Sequence, residues 1–123
     1  MFIGIDIIDI GRVEKIARRT PRFLHRVFTD QELEYCLQKK NPYPSLAARF
    51  AAKEAVRKLD QAFISGIRFQ EIEVLIGENG KPYIALHGTA LARSREKGLG
   101  TFSLSLAHAE NQAIAAVLVL KER

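Results

Sequence analysis

A chain of 123 residues with 47% hydrophobic side chains has the size and apolar content of one compact domain, expected over residues 1–123. No apolar run is long enough to cross a bilayer, and no basic n-region precedes an apolar h-region, so neither a membrane span nor a secretory signal is expected and the reading is cytoplasmic. The net charge of +5 is local: Arg12, Lys15, Arg18, Arg19, Arg22 and Arg26 face only Glu14 in their segment, and the other basic and acidic residues cancel.

In chain order, Phe2 to Ile8 is Ile-rich and reads as a buried strand. Asp9 is a plausible N-cap for a helix through about Arg19, stopped by Thr20-Pro21. A short helical piece follows around Phe23 to Val27. Thr29-Asp-Gln-Glu32 has the capping-box spacing and opens a helix to about Lys40. Cys36 on that helix has no cysteine partner and no His at ligand spacing, and is read as packing in a reducing compartment. Asn41 to Ser45 is a loop with two prolines, and Leu46 to Leu59 an Ala-rich helix. Glu71–Ile76 and Pro82–Leu86 are strands joined through Glu78-Asn79-Gly80. Gly88 to Lys97 is helical and ends at Gly98, and Thr101–Ala107 and Ala113–Leu120 are strands. The order β-α-α-α-β-β-α-β-β predicts a mixed α/β or α+β domain with a largely antiparallel sheet.

Two acids stand out. Asp6 interrupts the apolar run Phe2-Ile-Gly-Ile-Asp-Ile-Ile, and Glu54 sits within Arg49-Phe-Ala-Ala-Lys-Glu-Ala55. A buried ionised carboxylate is costly unless paired or holding a metal, and two hard oxygen ligands would suit Mg²⁺ shared with substrate phosphates. At a spacing of four, Arg49, Lys53 and Arg57 form one helix row, beside Phe50, Glu54 and Lys58. The first row suits either a polyanion or a wet surface, and taken alone Glu54 with Lys58 reads as a helix ion pair. His108 follows Ser103-Leu-Ser-Leu-Ala at a strand end, where ligand groups are often placed, and Ser103 and Ser105 share one strand face. No P-loop, dinucleotide fingerprint or zinc spacing is present. The Arg12–Arg26 patch suits an acidic protein, nucleic acid or a lipid surface, or is a solvated helix face.

The motifs Gly4-Ile-Asp-Ile-Ile-Asp-Ile-Gly-Arg-Val-Glu14, Arg49-Phe-Ala-Ala-Lys-Glu-Ala55, Phe69-Gln-Glu-Ile-Glu-Val74, Asn79-Gly-Lys-Pro-Tyr83 and Ser103-Leu-Ser-Leu-Ala-His108 together resemble, nearly end to end, the bacterial holo-[acyl-carrier-protein] synthases. These are small phosphopantetheinyl transferases of lipid biosynthesis. The resemblance implies an α+β domain with a long helix packed against a largely antiparallel sheet. It implies transfer of the 4′-phosphopantetheine group of coenzyme A to a serine of apo acyl carrier protein, releasing adenosine 3′,5′-bisphosphate. By the same resemblance Asp6 and Glu54 are the protein ligands of Mg²⁺, and Glu54 and Lys58 the catalytic pair. Arg49, Lys53, Lys58 and His108 line the coenzyme A site, and Arg12, Arg19 and Arg22 dock the acidic carrier. Either Glu54 or water on the metal would take the serine proton. A homotrimer with active sites at subunit interfaces is also implied. Two departures from the family pattern are Leu59-Asp-Gln-Ala-Phe-Ile-Ser-Gly66, where a Gly-Thr-Gly-like turn is usual, and Ala107 before His108. A nucleic-acid module would explain the charge but not the acids, and it lacks an aromatic platform. A two-metal nuclease or phosphatase would need more acids.

Overall fold

Alternation at the start of the chain builds strand β1 (Phe2–Asp9), in a computed structural model that describes residues 1–122; Arg123, the last residue of the expected domain, lies outside them. The Asp9 carboxylate then accepts the Arg12 N–H and opens helix α1 (Ile10–Arg19). Helix α2 (Arg22–Val27) is a full element, so four helices rather than three precede the next strand. Thr29 caps α3 (Asp30–Leu37) with both bonds of the capping box, and the helix ends earlier than the expected Lys40. Helix α4 (Tyr43–Arg57) starts three residues before the expected Leu46, because Pro44 falls in its first turn, where no N–H is needed. Two short 3₁₀ turns, Gln61–Phe63 and Phe69–Glu71, lead into strand β2 (Ile72–Ile76). Strand β3 (Pro82–Leu86), helix α5 (Gly88–Glu96) and strands β4 (Leu99–His108) and β5 (Gln112–Lys121) complete the fold.

The strands form two sheets rather than one, β1-β5-β4 and β2-β3, and every pairing is antiparallel. The fold is thus α+β as expected. Helix α4 is the hub. Its first half (Leu46, Ala47, Ala48) packs with Val13, Phe28, Leu33 and Cys36 of the helical layer. Its second half (Ala51, Ala52, Ala55, Val56) packs with Ile72, Val74, Val117 and Val119 of the sheets. Small alanines let the helix approach both layers closely. Gly4 allows the closest approach, since a Cβ there would lie 2.0 Å from the Ala55 carbonyl oxygen.

Strand β1 is covered on one face only, which corrects its reading as a buried strand. Gly4, Asp6 and Ile8 turn towards α4, while Ile3, Ile5 and Ile7 are each more than half exposed (54%, 54% and 55%). In register, Ile3 faces Leu118 and Ser103, Ile5 faces Ala116 and Ser105, and Ile7 faces Ile114 and Ala107. The outer side of the three-stranded sheet is therefore a continuous, largely apolar surface.

Candidate active site

Strand β1 and helix α4 bring the two conspicuous acids together. Asp6 lies on the inward face of β1 and Glu54 in the last turn of α4, close enough for Asp6 to act on the ionisation of Glu54. Burial chiefly raises the Glu54 pKa; Asp6 adds to that, and Arg57 and Lys58 oppose it. Lys58, the residue at the end of α4, reaches back to β1. Its Nζ lies 2.6 Å from Asp6 Oδ1 and 3.2 Å from the Ile5 carbonyl oxygen. The ion pair read between Glu54 and Lys58 is therefore replaced by Lys58 with Asp6, and by Arg57 Nε 3.3 Å from Glu54 Oε1.

One oxygen of each acid is left over. Asp6 Oδ2 and Glu54 Oε1 are both shielded from solvent and, among the described residues, accept no hydrogen bond, the Arg57 contact being out of alignment for one. A buried carboxylate oxygen without a donor is unfavourable in a protein and suited to a hard cation. Among the described residues no group of three His, Cys, Asp or Glu side chains gathers anywhere. Two such oxygens could supply only part of a coordination shell, a donor set that would fit Mg²⁺ because that ion keeps waters and substrate phosphates as its other ligands.

Arg49 and His108 meet elsewhere. They line a cavity of about 200 Å³ with Tyr35, Ser45, Pro82 and Ala107. His108 is exposed at the end of β4, as its position in the sequence suggested. Arg49 is almost buried, at 3% exposure, and its Nη1 donates to the Ser45 carbonyl oxygen at 3.2 Å. Ser103 and Ser105 lie on the open outer face of the sheet.

Lys53 is not available to coenzyme A, which corrects its expected role. Its side chain has no solvent exposure, and Nζ donates to Glu32 Oε1 at 2.8 Å and to the Phe69 and Ile72 carbonyl oxygens at 3.2 and 2.5 Å. All three ammonium donors are spent inside the protein. Burial lowers the Lys53 pKa, with Glu32 pulling the other way. Glu32 also accepts the Thr29 and Val74 N–H groups, so the pair ties α3 and α4 to β2. The expected cationic row along α4 is broken at this point.

The basic segment stays on the surface. Arg12, Arg19 and Arg22 are exposed, and among the described residues none has an acidic partner within the chain. A cleft of about 520 Å³ runs from Arg12 to Glu54, walled by Ile16, Phe23 and Phe50. These apolar walls were missed in the sequence. Their signal is spacing: Ile16 lies four residues after Arg12, and Phe50 four before Glu54.

The atypical stretch 59–66 is well anchored. Asp60 accepts the Ala62 N–H at 2.8 Å and lies 3.2 Å from Lys97 Nζ, and Phe63 is fully buried against Phe102. Arg93 donates to the carbonyl oxygens of Ala62 and Ser65. Arg93 of helix α5 thus fastens this stretch by its main chain.

The family model for the 4′-phosphopantetheinyl transferase superfamily matches residues 2–117. A holo-[acyl-carrier-protein] synthase of Moorella thermoacetica is 46% identical over 116 residues, covering 94% of this chain and 91% of that protein. The same-named protein of Caldanaerobacter subterraneus subsp. tengcongensis is 40% identical over 120 residues, covering 98% and 94%. Among solved structures, holo-[acyl-carrier-protein] synthase from Neisseria meningitidis matches with a TM-score of 0.85 at 31% identity, covering 98% of each chain. The Helicobacter pylori synthase in complex with coenzyme A matches with a TM-score of 0.79 at 32% identity, covering 96% of this chain and 99% of that one.

Proposed function

The chain belongs to the 4′-phosphopantetheinyl transferase superfamily, and we propose from that footing that it is a holo-[acyl-carrier-protein] synthase using Mg²⁺ at Asp6 and Glu54. It transfers 4′-phosphopantetheine from coenzyme A to a serine of apo acyl carrier protein, giving the holo carrier and adenosine 3′,5′-bisphosphate. The observation that carries the metal assignment is the pair of buried, undonated oxygens on Asp6 and Glu54 beside the Lys58 ammonium.

The serine oxygen forms a bond to the β-phosphorus as the bond to the α-phosphate oxygen breaks. When bound, Mg²⁺ supplies positive charge against the pyrophosphate oxygens. Lys58, on a mobile four-carbon stem and already beside that site, adds a second positive charge for the leaving phosphate. Glu54 lines the cleft that starts at Arg12 on the carrier-facing side, and from that position it is this chain's acceptor for the serine proton. Arg49 and His108 hold the distal phosphate of coenzyme A in their own cavity. The exposed Arg12, Arg19 and Arg22 meet the acidic carrier, whose apolar side chains fit the cleft leading to Glu54.

The same reading includes a homotrimer in the cytoplasm, acting in fatty acid biosynthesis. Supporting self-association, the apolar outer face of β1-β5-β4 lacks a cover among the described residues. Supporting shared sites, Arg49 with His108 and Glu54 line separate cavities. No helix among the described residues is long and apolar enough to cross a membrane.

Incubation with coenzyme A, Mg²⁺ and an apo carrier protein tests the reading. The carrier should gain about 340 Da, the mass of the phosphopantetheinyl group delivered by this phosphoryl transfer. An unchanged carrier mass with a folded protein would refute it.

A further inference from the structure

The guanidinium of Arg49 is held in an unusual way. Among the described residues no carboxylate lies within ion-pair distance of it. Its Nε is buried and has no hydrogen-bond partner among the described residues, and the Ser45 carbonyl oxygen takes a single bond from Nη1. A second contact is aromatic: Arg49 Cζ lies 4.6 Å from the centroid of the Tyr35 ring. Tyr35 comes from α3 and lines the same cavity as Arg49 and His108, as well as the neighbouring one of about 230 Å³ with Gln31 and Tyr83. Lys39 Nζ stands 4.9 Å from the same ring.

We propose that Tyr35 is a positioning residue, a platform whose ring holds Arg49 ready for a phosphate of coenzyme A; this rests on the reading of Arg49 given above. A carboxylate partner would fix the guanidinium but also neutralise it and occupy its donors. An aromatic face attracts the cation through its quadrupole while leaving charge and N–H groups for the ligand. Stacking also removes rotamer freedom before the phosphate arrives, so less entropy is lost on binding. The phenolic oxygen has no part in this, and the ring alone is required.

The test compares Tyr35→Phe, Tyr35→Leu, Tyr35→Gln and Arg49→Ala, with Tyr35→Leu also made in the Arg49→Ala background. Tyr35 is 39% exposed, so its replacement should leave the melting temperature close to wild type, and the Gln variant, a good helix former, serves if the Leu variant aggregates. Tyr35→Phe should keep KM for coenzyme A within about twofold. Loss of the ring should raise that KM by about threefold to tenfold with kcat unchanged, because the contact acts equally in ground and transition states. In the Arg49→Ala background the Tyr35→Leu effect should vanish. If Arg49→Ala raises KM but loss of the ring does not, or if the two effects simply multiply, the role of Tyr35 is refuted while that of Arg49 stands. If Arg49→Ala itself leaves KM unchanged, the coenzyme A assignment of Arg49 is wrong and the platform falls with it.

Discussion

Gly4→Ala should separate the two halves of the proposed metal site without touching either. The added Cβ would stand 2.0 Å from the Ala55 carbonyl oxygen, 2.9 Å from its carbon and 3.3 Å from Leu59 Cδ2. An ordinary carbon–oxygen contact is about 3.3 Å, so strand and helix must part by about 1.3 Å. The obstacle is main chain, and no rotamer change relieves it. A gap of that size forfeits much of the dispersion energy along Ala51, Ala52 and Ala55. Overpacking of this kind costs about 1–3 kcal/mol, and a backbone clash belongs at the upper end. The better strand propensity of alanine returns about 0.5–1 kcal/mol. A net loss of about 2 kcal/mol corresponds to a melting temperature lower by about 8 °C for a domain of this length.

The functional readout is separate from stability. Widening the β1–α4 gap draws Asp6 from Glu54; their short side chains cannot make up the distance, whereas Lys58 can follow Asp6 on its long stem. Transfer assayed well below the new melting point should therefore need more Mg²⁺ for half-maximal rate. Gly98→Ala is the control. This glycine ends α5 with φ of +67°, far from the site, and its loss should cost about 1–2 kcal/mol while leaving the Mg²⁺ requirement alone. A Gly4→Ala protein with wild-type stability, or one that melts lower yet keeps the wild-type Mg²⁺ dependence, would refute the argument that this close approach sets the carboxylate pair.

Other substitutions probe the remaining assignments. Lys53→Met strands the buried Glu32 and should cost about 3–5 kcal/mol in urea unfolding, much of it recovered by adding Glu32→Gln. The KM for coenzyme A, measured on folded protein, should not move; a raised KM at unchanged stability would return Lys53 to the ligand site. Asp6→Asn or Glu54→Gln should slow transfer by at least about a hundredfold, measured by carrier mass at limiting Mg²⁺. Because the folded pKa of Glu54 is raised above 4.5, the unfolded chain loses this proton first, and stability should fall as pH rises from the ordinary towards the raised value. Scanning fluorimetry should show that slope flattened in Glu54→Gln, and the stabilisation by Mg²⁺ expected of the wild-type protein at neutral pH should be lost with it. Arg19→Glu with Arg22→Glu should slow transfer to the carrier and weaken its salt dependence, while calorimetry shows coenzyme A binding unchanged. Parallel loss of both ligands would assign the patch to the nucleotide instead.

Local signals in the sequence carried most of the elements. Asp9 and Thr29 cap their helices as their spacing indicated, and Gly98 ends α5 in the left-handed conformation. Asn79-Gly80 lies in the β2–β3 connection, with Gly80 at φ of +78°. Long-range features were less legible. Period two in β1 was obscured because its outer residues are isoleucines as well, so a strand covered on one side looks covered on both. The division into two sheets depends on which strands pair, and composition carries little of that. Asp6 with Glu54 was legible because a carboxylate among apolar residues is conspicuous by its cost. The cavity of Arg49 and His108 was not, since Tyr35 has no motif and the contact is made across two helices.

The broken cationic row on α4 follows from helix geometry. At 3.6 residues per turn, positions four apart drift by about 40° per step, so Arg49 and Arg57 point about 80° apart and Lys53 between them. On a helix covered on one side all three have room along a solvent edge. Helix α4 is covered on two: alanines at 47, 48, 51, 52 and 55 surround it with close contacts, leaving only Phe50, Glu54, Arg57 and Lys58 at least partly exposed beyond Ser45. Drift then assigns the cations to different tasks. Arg49 reaches the Tyr35 cavity, Lys53 is enclosed with Glu32, Arg57 rests over the Phe69 ring beside Glu54, and Lys58 turns back to Asp6. The alanines were the overlooked signal, because a helix small and apolar on nearly every side has no wet face on which a lysine row can lie.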